Sequence, residues 1–251
     1  MKFSHINILA LLMFLPLQSF SQVEVKGLKQ LGQIDGLLFV VPDIGLASII
    51  ETYPIMVDVE EDAPEILLFE GLDDIIDVNG QIFAKYGADI CQCYPDSIER
   101  VFTFETENFR IMPMVDHDFA VIFENDTLTY VLACDAKSHE ASPLFSSEDH
   151  VIYCYGATND LIVVTDQDVF LMTEEESEHL LSYYTPIKAA VQTNFGLVLA
   201  SDSEVFFLTS PNEIGILVNA GCEKLYSCGD ILYLTKGNLV NRIDLKAYLD
   251  N

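Results

Sequence analysis

Six aspartates stand where short apolar runs meet tight turns: Asp43, Asp89, Asp126, Asp166, Asp168 and Asp202. Their turns are Pro42-Asp43-Ile44, Tyr86-Gly87-Ala88-Asp89, Glu124-Asn125-Asp126, Asp166-Gln167-Asp168 and Ser201-Asp202-Ser203-Glu204, while a sixth turn, Lys236-Gly237, carries no carboxylate. Carboxylates gathered at one end of a molecule focus a negative potential and attract cations. Oxygen-only loops suit Ca²⁺ rather than a transition metal. The complete calcium loop D-x-[DN]-x-[DN]-G does not occur, and Asp166-Gln167-Asp168 is only a fragment of one. Ca²⁺ is therefore a candidate ligand, and no resident cofactor is expected. Aspartate also favours turns for a local reason, hydrogen bonding to its own backbone. The six positions thus have both a binding and a structural reading.

Other chemistry is sparse. Beyond the N-terminal segment the histidines are His117, His139, His150 and His179. Asp116-His117-Asp118 has the composition to orient an imidazole, and equally that of a turn between two strands. There is no H-E-x-x-H, no G-x-S-x-G, no phosphate loop and no dinucleotide fingerprint. Asn125-Asp126-Thr127 matches a glycosylation sequon, of use only on a eukaryotic secretory route. Cys91, Cys93, Cys134, Cys154, Cys222 and Cys228 are an even set that permits disulfides without specifying their pairing. They lack the C-x₂-C spacing of a structural zinc site.

Charge narrows the partners. With 12 Lys+Arg against 40 Asp+Glu the formal net charge is −28. Nucleic acid and anionic lipid surfaces are excluded as electrostatic partners, since both are held by Lys and Arg. Half of the residues are apolar and 21% are charged, which is the composition of a folding chain. The runs Asp58, Glu60, Glu61, Asp62, Glu65 and Glu174, Glu175, Glu176, Glu178 read as solvated loops.

The elements that must position these residues repeat. A turn followed by an apolar run recurs at Gly36, Gly80, Asp118, Asp160, Gly196 and Asp230, spaced by 44, 38, 42, 36 and 34 residues. The runs are LLFVV, QIFAK, FAVIF, LIVV, LVLA and ILYL. Each is closed by a second turn and a second strand, such as DICQC from Asp89 or DVFLM from Asp168, so each unit holds a hairpin. A strand precedes each anchor, as in LDDIIDV from Leu72, and another follows most hairpins, as in RVFTF from Arg100 or EILLF from Glu65. The fourth strand of the third unit, near Ser142 to Ser146, is weak. Four strands per unit of about 40 residues is the radial sheet of a β-propeller. The second strand is almost wholly apolar, as a strand sandwiched between neighbouring blades requires. The expectation is an all-β, six-bladed β-propeller over residues 22–251, with a short terminal helix over Asp244 to Leu249. The N-terminal strand Val23 to Lys26 is expected to complete the last blade and remove a free sheet edge. A β-sandwich, which also gives short strands at even spacing, is the alternative.

Residues 1–21 read as a signal peptide, with Lys2 before the ten-residue apolar run Ile8 to Leu17 and small residues Ser19 and Ser21 at a cleavage site. Export to the periplasm or the exterior follows, without a lipid anchor, because no Cys follows the apolar run, and without a later membrane span.

Through copies such as DGLLFVVPDIGLASII the chain resembles the broad class of secreted β-propeller repeat proteins. The chain contains no tryptophan, so the Trp-Asp signature of WD40 blades is missing. The resemblance implies a fold. It does not carry a motif for one family. The functional expectation is a non-catalytic module that binds a protein, peptide or glycan through the turn-bearing face. The alternative is a divalent-metal hydrolase or lactonase of the six-bladed type, in which carboxylates converge on a channel metal. A third, purely structural envelope role would show as an exposed apolar patch.

Overall fold

A computed structural model describes residues 29–33, 37–41, 45–50, 53–56, 72–94, 97–125, 127–237 and 239–250. The expected signal peptide and the segment Val23 to Lys26 lie outside the described residues. The chain order begins with β1 (Lys29–Gln33), β2 (Leu37–Val41), β3 (Gly45–Ile50) and β4 (Tyr53–Met56). The next sheet is β5 (Asp73–Val78), β6 (Gln81–Tyr86), β7 (Asp89–Cys93) and β8 (Ile98–Thr103). It is followed by β9 (Phe109–Pro113), β10 (Phe119–Glu124), β11 (Thr129–Asp135) and β12 (Glu140–Ser147). Then come β13 (Val151–Ala157), β14 (Asp160–Thr165), β15 (Asp168–Thr173) and β16 (Ser177–Ser182). The last strands are β17 (Ile187–Thr193), β18 (Gly196–Ser201), β19 (Val205–Ser210), β20 (Glu213–Val218), β21 (Lys224–Cys228), β22 (Ile231–Lys236) and β23 (Leu239–Asp244). A terminal helix, α1 (Leu245–Leu249), is N-capped by Asp244, whose Oδ1 accepts from the Ala247 N–H at 2.9 Å.

Each sheet is an antiparallel meander, and the first strands β2, β5, β9, β13, β17 and β21 stand against one another in succession around an axis. The chain is a β-propeller. Among the described residues the sheets stand around an axis rather than as two face-packed layers, so the β-sandwich alternative falls. The spacing predicts six blades, but among the described residues five have the full four strands. The sheet β2-β3-β4 has three, and the fourth strand expected for it, EILLF from Glu65, lies outside the described residues. The weak strand of the third unit is the eight-residue β12.

The last blade is ordered β1-β23-β22-β21, so the chain's N-terminal part supplies its outer strand. That strand is Lys29–Gln33, paired Lys29 to Arg242 and Gln33 to Leu239, rather than Val23 to Lys26. Its sequence KQLGQ has one large apolar residue and a glycine. An outermost strand needs backbone pairing more than an apolar face, so it carries little strand signal of its own.

The second strands β10 and β18 are buried on both faces, as their composition requires: FAVIF in β10 is buried from Phe119 to Ile122, and GLVLAS in β18 from Leu197 to Ser201. Blades meet through apolar clusters. Between the second and third sheets Phe83, Ile90 and Val101 pack on Phe119, Val121 and Ala136, with the Phe83 and Phe119 rings 5.1 Å apart. Each fully buried phenylalanine contributes roughly 1.5–3 kcal/mol of transfer free energy. Asn79 and Gly80 turn the β5–β6 hairpin at φ 54° and 81°, the left-handed pair that a two-residue hairpin loop demands. On the same side of the ring, adjacent blades are laced by Thr158 N–H to Asp116 Oδ2 at 2.8 Å and Val115 N–H to the Gly156 carbonyl at 3.0 Å. Among the described residues no helix is long and apolar enough to cross a membrane.

Candidate functional site

In this topology the turns from second to third strand open on the same face as the connections between blades. Backbone bonds confirm the placement in two blades. Phe104 N–H donates to the Ala88 carbonyl at 2.9 Å, and Ile187 N–H to the Asp166 carbonyl at 2.7 Å. Asp89, Asp166, Asp168 and Asp202 therefore lie at one end of the molecule. Asp43 and Asp126 lie outside the described residues.

The four carboxylates work separately, each within or beside its own blade. Asp89 opens β7 and accepts from Thr103 Oγ1 of β8 at 2.6 Å, with Arg100 Nε 3.6 Å away. Asp166 forms the β14–β15 turn, its N–H donating to the His150 carbonyl at 3.2 Å. Asp202, 81% exposed at its side chain, faces Lys188 Nζ of β17 in its own blade at 3.8 Å. Among the described residues no group of three or more His, Cys, Asp or Glu is placed to hold a metal ion.

Asp168 has the richest surroundings. Ser182 Oγ donates to its Oδ1 at 2.5 Å, and His179 Nε2 meets the same oxygen at 3.0 Å. The Ser182 hydroxyl, against an opposing contribution from burial and then with help from His179, holds the carboxyl below its ordinary range. Ser182 Oγ is also 3.0 Å from His179 Nε2. A nucleophile relay needs the carboxylate on one ring nitrogen and the hydroxyl on the other. Here the carboxylate and the hydroxyl both meet Nε2, and the hydroxyl donates to the carboxylate. The trio clamps the outer strand and leaves the hydroxyl unactivated. In Asp116-His117-Asp118 both carboxylates cap turns, Asp116 for the Thr158 N–H and Asp118 for the Ala136 N–H. That run is a turn.

Three features of this face escape sequence reasoning. The first is a set of exposed tyrosines: Tyr184 is 79% exposed, Tyr86 48% and Tyr130 40%. The second is the strap between β16 and β17, where the Tyr183 and Tyr184 hydroxyls both donate to Glu204 Oε1, the latter at 2.6 Å. Tyr183 is buried against Phe206 at 4.3 Å, so it anchors the strap while Tyr184 projects. The dipeptide Tyr183-Tyr184 before Thr185-Pro186 was the available signal, but its acceptor lies 20 residues away across a blade boundary.

The third feature is a cluster of cations at the inner strands. Arg110 of β9 donates to the Ile152 and Val151 carbonyls at 3.0 and 2.6 Å and to Glu124 Oε1 at 2.8 Å. The second Glu124 oxygen is 3.3 Å from His150 Nδ1. Asp74 opens β5 at φ 43°, beside a register irregularity in the β5–β6 ladder. Burial pushes its carboxyl up, against the opposing charges of Lys85, Lys224 and Arg110. Strained backbone of this kind collects at working sites.

No protein-family model matches the chain, and no curated protein matches it. Solved structures do. One is a candidate gluconolactonase, at TM-score 0.62 and 11% identity, covering 86% of this chain and 91% of that one. Another belongs to a nidogen–laminin complex, at TM-score 0.60 and 10% identity, covering 87% and 89%. A third is the extracellular domain of a candidate hybrid two-component system from B. thetaiotaomicron, at TM-score 0.53 and 9% identity; the match covers 81% of this chain and 31% of that one. At these identities the likeness is one of fold.

Proposed function

We propose that this chain is an exported, non-catalytic binding module that offers the turn-bearing face of its propeller to a protein or peptide rich in basic residues. One observation carries the reading: Asp89, Asp166, Asp168 and Asp202 share a face with the exposed Tyr86, Tyr130 and Tyr184. Tyrosine supplies contact area at low entropic cost and is enriched at interfaces. A net charge of −28 steers cationic partners to that face and repels anionic ones. The propeller neighbour in the nidogen–laminin complex belongs to a protein–protein assembly, which fits this use of the fold. The three-stranded sheet counts as a sixth blade in this reading.

The test is fluorescence anisotropy with basic, neutral and acidic peptides at low and high salt. Basic peptides alone should bind, more weakly as salt rises, and Tyr86→Ser with Tyr184→Ser should weaken binding about tenfold, the loss of one to two kcal/mol. Equal binding of neutral peptides would sink the proposal.

The metal-dependent hydrolase is the second reading, supported by the fold shared with the candidate gluconolactonase. A thermal melt in EDTA, then with Ca²⁺ or Mg²⁺, separates the two. The binding module gives a flat response or a weak rise that salt reproduces. A saturable, calcium-selective rise in Tm would favour the hydrolase.

A further inference from the structure

On the opposite face, between the β5–β8 blade and the β9–β12 blade, a cleft of about 460 Å³ opens. One wall is built by register. Gln92 of β7 stands opposite Phe83 of β6 and Glu99 of β8, and Gln81 lies two residues before Phe83, so Gln81, Gln92 and Glu99 share one side of the blade. The other wall is the end of β11 and its turn, with Asp135, Lys137 and His139. The floor is apolar: Val101 and Ala136 are 9% and 8% exposed, the outer margin of the cluster that joins the two blades. His139, held at φ 57°, ties the walls together through Nδ1 to the Val101 carbonyl at 3.0 Å. A carbonyl only accepts, so Nδ1 carries a proton.

The inventory of groups decides the ligand. Asp118 is engaged by the Ala136 N–H at 2.8 Å, and Asp135 by the Lys137 and Ser138 N–H groups at 3.0 and 3.1 Å. Glu99 Oε2 accepts from the Tyr94 hydroxyl at 3.4 Å, which among the described residues leaves Glu99 Oε1 and Lys137 to meet a ligand, one charge of each sign. Gln92 Nε2 donates to Gln81 Oε1 at 3.1 Å, which among the described residues leaves Gln92 Oε1 to accept and Gln81 Nε2 to donate. Donors and acceptors therefore alternate over an apolar floor. Hydroxyl groups, which donate and accept at once, match that pattern. An anion meets an excess of carboxylates, Glu99, Asp118 and Asp135 against Lys137. The volume falls within the range of small-molecule sites, roughly 300–1,000 Å³.

We propose that this cleft binds a neutral saccharide of one or two rings, independently of the tyrosine-bearing face. The probes are glucose, galactose, mannose, maltose, cellobiose and lactose, with the anions glucose 6-phosphate and glucuronate as charged controls. The readout is the side-chain amide NMR signals of Gln81 and Gln92. At least one neutral sugar should shift both signals saturably. Gln92→Ala should weaken its binding about tenfold, the effect of one lost hydrogen bond, with Tm unchanged. Gln81→Ala should do the same, and Tyr184→Ser on the far face should change nothing. The proposal is overturned if no neutral sugar shifts these amides, if the charged sugars bind as well, or if both glutamine variants bind like the parent.

Discussion

The buried thiols give the sharpest residue-scale prediction. Cys134 and Cys154 are wholly inaccessible, and Cys93 and Cys222 nearly so. Burial pushes all four up to about 12. A thiol in an unfolded chain titrates near 8.5. The folded state therefore favours the protonated form, and that contribution to stability is complete below about pH 8.5 and is lost as pH rises toward about 12. Iodoacetamide at pH 8 should leave these four cysteines unlabelled in the native protein and label them in guanidinium, read by peptide mass spectrometry. Labelling in the native state would mean the blades open locally or the thiols are placed otherwise. Reactivity follows the thiolate, so the same burial argues that these residues pack rather than react.

At the scale of elements, what matters is which backbone edges are covered. β23 would present an unpaired edge if β1 did not lie along it. Deleting residues 29–33 should lower Tm by several degrees and promote aggregation, measured by calorimetry and light scattering. An unchanged Tm would show that the closing strand contributes nothing. The connections between blades are equally constrained. A side chain at Gly221 would put Cβ 2.1 Å from the Asp202 carbonyl oxygen, so the connection after β20 and the β18–β19 turn touch backbone to backbone. That contact fixes where Asp202 stands on the face.

Net charge acts on the whole molecule. A charge of −28 on a chain of this size repels itself, and the repulsion is screened within about 8 Å at 0.15 M salt. Raising NaCl from 10 to 300 mM, about a fivefold shortening of the screening length, should raise Tm. The same change should weaken any basic partner on the tyrosine-bearing face and leave a neutral sugar in the cleft untouched. A Tm that is flat or falls with salt would mean that local ion pairs such as Arg110–Glu124 outweigh the global repulsion.

The blade architecture was legible in the sequence because its signals are local. Asn79-Gly80 forces a left-handed turn, DICQC from Asp89 is the strand β7, and an all-apolar run is the second strand wherever it recurs. Asp89, Asp166, Asp168 and Asp202 could be assigned to turns for the same reason. Tertiary structure alone decided what each residue meets. β1 pairs with a strand about two hundred residues away and needs no apolar pattern to do so. Tyr184 finds Glu204, Arg110 finds the carbonyls of β13, and Gln92 lines one cleft with Lys137 only because successive blades stack around an axis. The number of complete blades is likewise a fact of pairing, since a turn and an apolar run announce a strand but not its partner. Hairpins are written in the few residues that make them, whereas a site between blades depends on how separate sheets pack, and no short stretch of chain contains that information.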